Sequence, residues 1–249
     1  MTATGVTPEI VRVSFFIYTP LYNRRHFEEI FMSIYQTSPT FDRIAAGWYG
    51  FRHRTIFKTE LDSLARRWEK GKLLNLGCGH GADFLPFKDS FDLTGIDISS
   101  EMLKFAEKFM RKHGFQADLK QADMRLIPYR DASFDFELAV ASLHHIDDKP
   151  GREKAAREMF RVLKPGGEAF ITVWNAFQPR FIFRNRDVHI PWRAKDEVIE
   201  RFYHLFSYRE LEKLFESAGF RIISSRPEST YHLPVKYFSR NICLLVQKP

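Results

Sequence analysis

The sequence predicts an α/β fold, a doubly wound and mainly parallel sheet of seven strands with N-terminal helices. Three observations carry this. From Lys72 onward, short apolar runs alternate with amphipathic segments at the spacing of βαβ units. The run LLNLGCGHGADF (73–84) passes from a buried-strand pattern through Gly77, Gly79 and Gly81 into a helical segment. A carboxylate, Asp97, ends the next apolar strand twenty residues after Gly77.

The first 25 residues have no regular period and include Thr19-Pro20, which favours extended chain. Phe27, Ile30, Phe31, Ile34 and Tyr35 then recur at helical spacing over 24–35, and Ser38-Pro39 punctuates. Segments 41–48 and 55–68 read as two more helices laid over the sheet. Strands are predicted at 73–76, 92–97, 116–121, 134–141, 167–174, 220–225 and 241–247, with helices at 82–87, 99–112, 151–163 and 208–218. The last helix has a capping box, Ser207 with Glu210, and Gly219 closes it. Its stripe of Leu211, Leu214, Phe215 and Ala218 reads as core. The chain thus divides into an extension with packed helices (1–70) and a main domain (71–249). Within that domain 175–207 lacks a period, as expected of a substrate or lid insertion. Right-handed crossovers bring the carboxyl ends of the strands to one edge, where ligands bind.

Composition narrows the function classes. With 44% hydrophobic and 28% charged residues over 249 positions, the chain can bury a core without staples. No apolar run approaches the roughly 18–20 residues needed to cross a bilayer. Val13–Tyr18 is shorter than a secretory apolar region, so a cytoplasmic protein without membrane association is expected. Two cysteines, Cys78 and Cys243, make neither a disulfide framework nor a zinc site, and no metal is expected. Net charge is +3 over 1–70, −1 over 71–174 and +5 over 175–249. Basic flanks around a neutral middle suit a polyanion or an ordinary solvated surface.

The glycine loop and its acids point to a nucleoside. The glycines close a tight turn and bring backbone against a ligand, while the helix start adds N–H donors. Their G-x-G-x-G spacing is not the G-x-G-x-x-G of dinucleotide binders. Asp97 can accept two ribose hydroxyls, and Asp123, in QADMRLIP (121–128), can hold an adenine amino group.

Together these pieces resemble the class I S-adenosylmethionine-dependent methyltransferases. SFDFELAVASLHHID (133–147) is similar to that family's fourth strand, and LKPGGEAFITVW (163–174) to its Pro-Gly-Gly turn and fifth strand. The resemblance implies a Rossmann-like fold and S-adenosylmethionine as cofactor, held by Gly77, Cys78, Gly79, Gly81, Asp97, Ile98, Asp123, Met124 and Ala141. After the fourth strand, enzymes that methylate base amino groups carry Asn/Asp-Pro-Pro-aromatic. Here Ser142-Leu143-His144-His145 stands instead, so that chemistry is not expected. The histidine pair either supplies a base near neutral pH, with His145 facing substrate, or one ring packs and the other caps the next loop.

The flanks resemble the wobble-uridine tRNA methyltransferases, which methylate the carboxylate of 5-carboxymethyluridine. Pro191-Trp192 and Arg201-Phe202-Tyr203-His204-Leu205-Phe206 match its Pro-Trp element and aromatic run. FDRIAAGWYGFRHR (41–54) matches its approach to the first strand, and HHIDDKPGRE (144–153) its His pair and following arginine, Arg152. His80 replaces an Asn, Phe202 a Tyr, and Asn241-Ile242 the closing Asn-Trp. A carboxylate of reference pKa about 4 is already ionised and needs a clamp more than a base. Arg52 and Arg201 are the candidates for that clamp or for tRNA phosphates, with Tyr49, Tyr203 and His204 lining the pocket.

The resemblance also implies tRNA as partner and a small zinc-binding activator protein that forms a heterodimer by adding a strand to the sheet. Two other readings share some of these features. A small-molecule O- or C-methyltransferase with an apolar or carboxylic acid substrate would use the same cofactor loop and aromatics. A non-catalytic binding platform would keep the fold without the intact loop seen here.

Overall fold

The computed structural model describes residues 39–194 and 197–249. The helix expected over 24–35 and the extended lead-in lie outside the described residues. A helix over 39–51 (α1) and α2 (Lys58–Trp68) precede the sheet. The sheet contains β1 (Gly71–Leu76), β2 (Phe91–Asp97), β3 (Asp118–Gln121), β4 (Phe134–Val140), β5 (Leu163–Trp174), β8 (Arg221–Pro227) and β9 (Asn241–Gln247). Their order is β3-β2-β1-β4-β5-β9-β8. The first five run parallel, and β9 is inserted antiparallel between β5 and β8. The order reverses between β1 and β4, which opens a crevice at the carboxyl ends of those strands.

Helices α3 (Ser100–His113), α4 (Lys149–Val162) and α5 (Tyr208–Ser217) begin where the sequence supplies caps. Ser99 accepts from the Met102 N–H, Asp148 from Gly151, and Ser207 and Glu210 form the reciprocal capping box. The helix expected at 82–87 is a 3-10 turn instead. Pro86 inside it lacks the N–H that an α-helix would use.

Strand alternation sorts the core into two layers. Leu74, Leu76, Ala139 and Leu244 meet Ala155, Met159, Leu211 and Phe215 of α4 and α5 on one face. Leu73, Leu138, Phe170 and Leu245 meet Leu61, Leu64, Trp68 and Phe109 of α2 and α3 on the other. Arg67 makes a two-pronged contact with Glu168 (2.8 and 2.6 Å), and the Trp68 indole N–H donates to the same carboxylate at 2.7 Å. These bonds pin α2 to β5.

The insertion at 175–207 holds an ordered hairpin, β6 (Asp187–Arg193) paired antiparallel with β7 (Val198–His204). In β7 the buried face carries Ile199, Arg201 and Tyr203, while Val198 is exposed. A cation on the inner face and an apolar residue on the outer one erase the period-2 signal that marks a strand. The hairpin docks on α1, with Trp192 against Trp48 at 5.6 Å and within 3.2 Å of where a Cβ on Gly47 would lie.

Candidate active site

A cavity lies over the carboxyl ends of β1, β2 and β4, bordered by residues of α1 and β7. Gly77, Cys78, Gly79, Asp97, Ile98, Asp123, Met124 and Ala141 all line it. Gly77 and Gly79 have φ of 70° and 53°, in the left-handed region that glycine reaches without penalty. A Cβ on Gly77 would fall 2.5 Å from the Ser142 Cβ, whereas nothing lies within 4 Å of one on Gly79. Bare backbone at Gly79 therefore borders open space. Gly81 (φ 85°) is not in the lining; it starts the 3-10 turn.

Asp97 is held by backbone donors, the Gly79 N–H to Oδ2 at 2.8 Å and the Ser99 N–H to Oδ1 at 2.9 Å. Burial nonetheless pushes its carboxyl up to about 6, against the lowering effect of those bonds. Asp123 is buried and accepts from the Arg125 N–H at 2.7 Å as well as from its guanidinium. Ala141 keeps φ at 54°, fixed by its N–H donating to the Thr172 carbonyl and hydroxyl (3.1 and 3.0 Å). A β-carbon-bearing residue in that region marks strain held at a site. Two buried carboxylates beside exposed glycine backbone are chemically suited to a nucleoside with hydroxyl and amino donors.

The opposite wall is aromatic and cationic. Tyr203 stacks on Trp174 at 4.3 Å and lies 4.5 Å from the His145 ring. Burial raises the Tyr203 phenol above its usual range. His145 Nδ1 sits 2.8 Å from the Phe202 carbonyl, which can only accept, so Nδ1 carries the proton and Nε2 is the acceptor. His144 has the other tautomer, because its Nδ1 accepts from the Trp174 N–H at 3.2 Å. Burial drops His145 to about 4 and drives His144 lower as well, so both rings are neutral at pH 7.

Arg201 is 8% exposed, and its Nε has no hydrogen-bond partner. Its guanidinium lies over Trp192 (5.3 Å), Tyr203 (5.4 Å) and Trp48 (5.8 Å), and it forms no ion pair among the described residues. Arg52 lies over Trp48 at 4.7 Å; desolvation lowers its pKa, and Asp83 is the carboxylate that acts on it. Both arginines line the cavity.

Two expected lining residues stand elsewhere. Tyr49 stacks on Phe105 of α3 at 4.9 Å, because its place on α1 turns it toward α3 while Trp48 takes the cavity side. His204 is buried at the end of β7, with Nδ1 2.6 Å from Asp187 and Nε2 2.8 Å from Glu210. It joins the hairpin to α5 and is not in the lining.

Sequence reasoning passed over Trp48, Trp174 and Asp83, all in the lining. Asp83 is raised to about 6 by burial and is hydrogen-bonded to Thr55. An acid in the first turn after a glycine loop reads as a helix-dipole partner, so its second role had no separate signal.

A family model described as "Methyltransferase domain" matches residues 74–171. A protein of Encephalitozoon cuniculi named as a putative methyltransferase is 32% identical over 185 residues, covering 71% of this chain and 82% of that one. The tRNA (carboxymethyluridine(34)-5-O)-methyltransferase of Schizosaccharomyces pombe is 27% identical over 176 residues, covering 60% of this chain and 73% of that one. The chain spans about a quarter of the length of several longer relatives it matches. Among solved structures, an S-adenosylmethionine-dependent methyltransferase from Clostridium acetobutylicum superposes with a TM-score of 0.66 at 18% identity, over 83% of this chain and 98% of that one.

Proposed function

The chain belongs to the class I S-adenosylmethionine-dependent methyltransferases, and from that premise we propose that its acceptor is the carboxylate of a 5-carboxymethyl-type substituent on a wobble uridine of tRNA. The observation that carries this is Arg201. A buried guanidinium without a carboxylate partner among the described residues is costly to keep, and an anionic acceptor would complete it. The name of the Schizosaccharomyces pombe relative supports the same acceptor.

Bound S-adenosylmethionine supplies an electrophilic methyl group on a sulfonium. Asp97, Asp123 and the Gly77–Gly79 backbone orient its nucleoside half. Arg52 and Arg201 bind the acceptor carboxylate and fix its plane, and Trp48, Tyr203 and Trp192 exclude water around that pair. The nucleophilic oxygen is already ionised, so no proton has to move. His145 then serves as a neutral wall with an acceptor nitrogen, and general-base catalysis is not required of it.

We extend the proposal to a small zinc-binding activator that adds a strand to the sheet. Support comes from β3, a four-residue edge strand with three exposed residues. Among the described residues no helix is long and apolar enough to cross a membrane.

Incubation with methyl-labelled cofactor and bulk tRNA, with and without the activator, followed by mild alkali, tests the acceptor. Label on RNA that alkali releases is the expected result, because a methyl ester hydrolyses readily. Alkali-stable label would move the methyl to a ring or ribose atom. Absence of label from RNA while cofactor binds would favour a small-molecule acceptor.

A further inference from the structure

Two loops beside the cavity carry a surface that the methyl-transfer chemistry leaves unused. The first follows β5 and the second precedes β9. They are tied together: the Asn175 side-chain amide donates to the Tyr237 and Ser239 carbonyls at 2.7 and 2.8 Å, and Gln178 to the Arg240 carbonyl at 3.3 Å. On this doubled loop the aromatic rings of Phe177, Phe183, Tyr237 and Phe238 are exposed, Phe183 to 97%. Four exposed rings on two tied loops are more than the single exposed apolar residues of an ordinary surface and mark an interaction surface.

Its charge selects the partner. Residues 175–186 and 229–240 contain Arg180, Arg184, Arg186, Lys236 and Arg240 and no acidic residue. Arg180, Arg184 and Arg240 are exposed and make no ion pair among the described residues. Arg186 lies over Phe177 at 5.0 Å and Lys236 over Tyr237 at 5.6 Å, so cations and rings interleave. The surface also reaches the cavity. Phe181 of the first loop stacks on Trp174, a lining residue, at 5.9 Å. Arg240 and Arg180 are close enough to act electrostatically on Arg52 and Tyr203.

We propose that these paired loops form a stacking platform for the unpaired nucleotides that flank the acceptor in an RNA loop, with the exposed rings against bases and the arginines against phosphates. This rests on the RNA reading of the substrate. Aromatic faces favour single strands, since bases inside a duplex are already stacked, and the cations would hold the backbone.

Binding of a labelled hairpin RNA with an unpaired loop, and of a blunt duplex of equal charge, to the full-length chain tests the platform. The Phe183→Ala/Phe238→Ala pair is expected to weaken the hairpin about tenfold and leave the duplex unchanged. The Arg184→Ala/Arg240→Ala pair is expected to weaken both and to lower the salt slope by about 1.5. All four side chains are exposed, so unchanged thermal midpoints would show that the fold is intact. Equal hairpin affinity in wild type and both variants overturns the platform and leaves the acceptor proposal standing if RNA is still methylated. Failure of the wild type both to bind and to methylate RNA overturns both. Binding to anionic phospholipid vesicles that is lost in the same variants, with RNA affinity unchanged, assigns the surface to a membrane and overturns the platform.

Discussion

The two walls of the cavity are built on opposite principles. On the wall made by β1, β2 and the β3–β4 connection, both carboxylates already have partners: Asp97 has the Gly79 and Ser99 N–H groups, and Asp123 has Arg125. On the wall made by α1 and β7, Arg201 lies buried among rings with its Nε unsatisfied. The first wall is preorganised by these bonds, against the desolvation that raises the Asp97 carboxyl. The second keeps an unmet demand for an anion, which makes it selective. Cofactor affinity and acceptor turnover should therefore respond to different substitutions.

The largest expected break is Gly77→Ala. The added carbon meets Ser142 at 2.5 Å in a left-handed backbone, which by itself costs about 1–2 kcal/mol for an L-residue. Cofactor affinity by calorimetry should fall at least about a hundredfold, a loss of roughly 2.7 kcal/mol. Adding Ser142→Gly should recover part of it, whereas no recovery would place the loss in the backbone alone.

Arg201→Met tests the other wall. Turnover should drop about a hundredfold while cofactor affinity stays within about threefold. Its thermal midpoint should hold or rise, since a buried unpaired nitrogen is replaced by an apolar chain. A fall in cofactor affinity matching the fall in turnover would merge the two walls into one unit.

Asp97→Asn should weaken the cofactor about tenfold, with a characteristic pH dependence. With its carboxyl raised to about 6, Asp97 loses acceptor capacity as pH falls through that value. Wild-type affinity should decline below about pH 6, and the variant should flatten the part due to Asp97. Asp83 titrates in the same range and supplies the remainder. The sign for the unliganded protein is opposite. A raised carboxyl pKa contributes stability below the ordinary carboxylate range, and that contribution is lost as pH rises through about 6.

The smallest effect is expected at Tyr49→Phe, which keeps the ring stacked on Phe105 and should leave turnover within about twofold. A larger loss would bring the Tyr49 hydroxyl back into the reaction.

The cofactor wall was legible in the sequence because its chemistry is local. Gly77, Gly79, Asp97 and Asp123 each sit at the end of a strand or in the turn that follows, so spacing along the chain translates into position at one sheet edge. The acceptor wall was legible only in part. Arg52, Arg201, Tyr203 and His145 were all named and line one cavity, yet His204 and Tyr49, equally polar or aromatic and one position from Tyr203 and Trp48, do not. Neighbouring residues on a strand point to opposite faces, and residues one apart on a helix diverge by about 100°. Residue type alone does not say which of two neighbours faces the ligand.

The sequence by itself determined the parallel sheet, its glycine loop and the carboxylates at its edge, because strand period, turn chemistry and caps act over a few residues. Tertiary structure alone decided the hairpin and what it does. In β7 the inner position that a hydrophobic pattern would fill is taken by Arg201, so the strand has no local signature. It is ordered by pairing with its neighbour β6 and by Trp192 packing on Trp48 of α1, and that second contact joins residues well over a hundred positions apart in the chain.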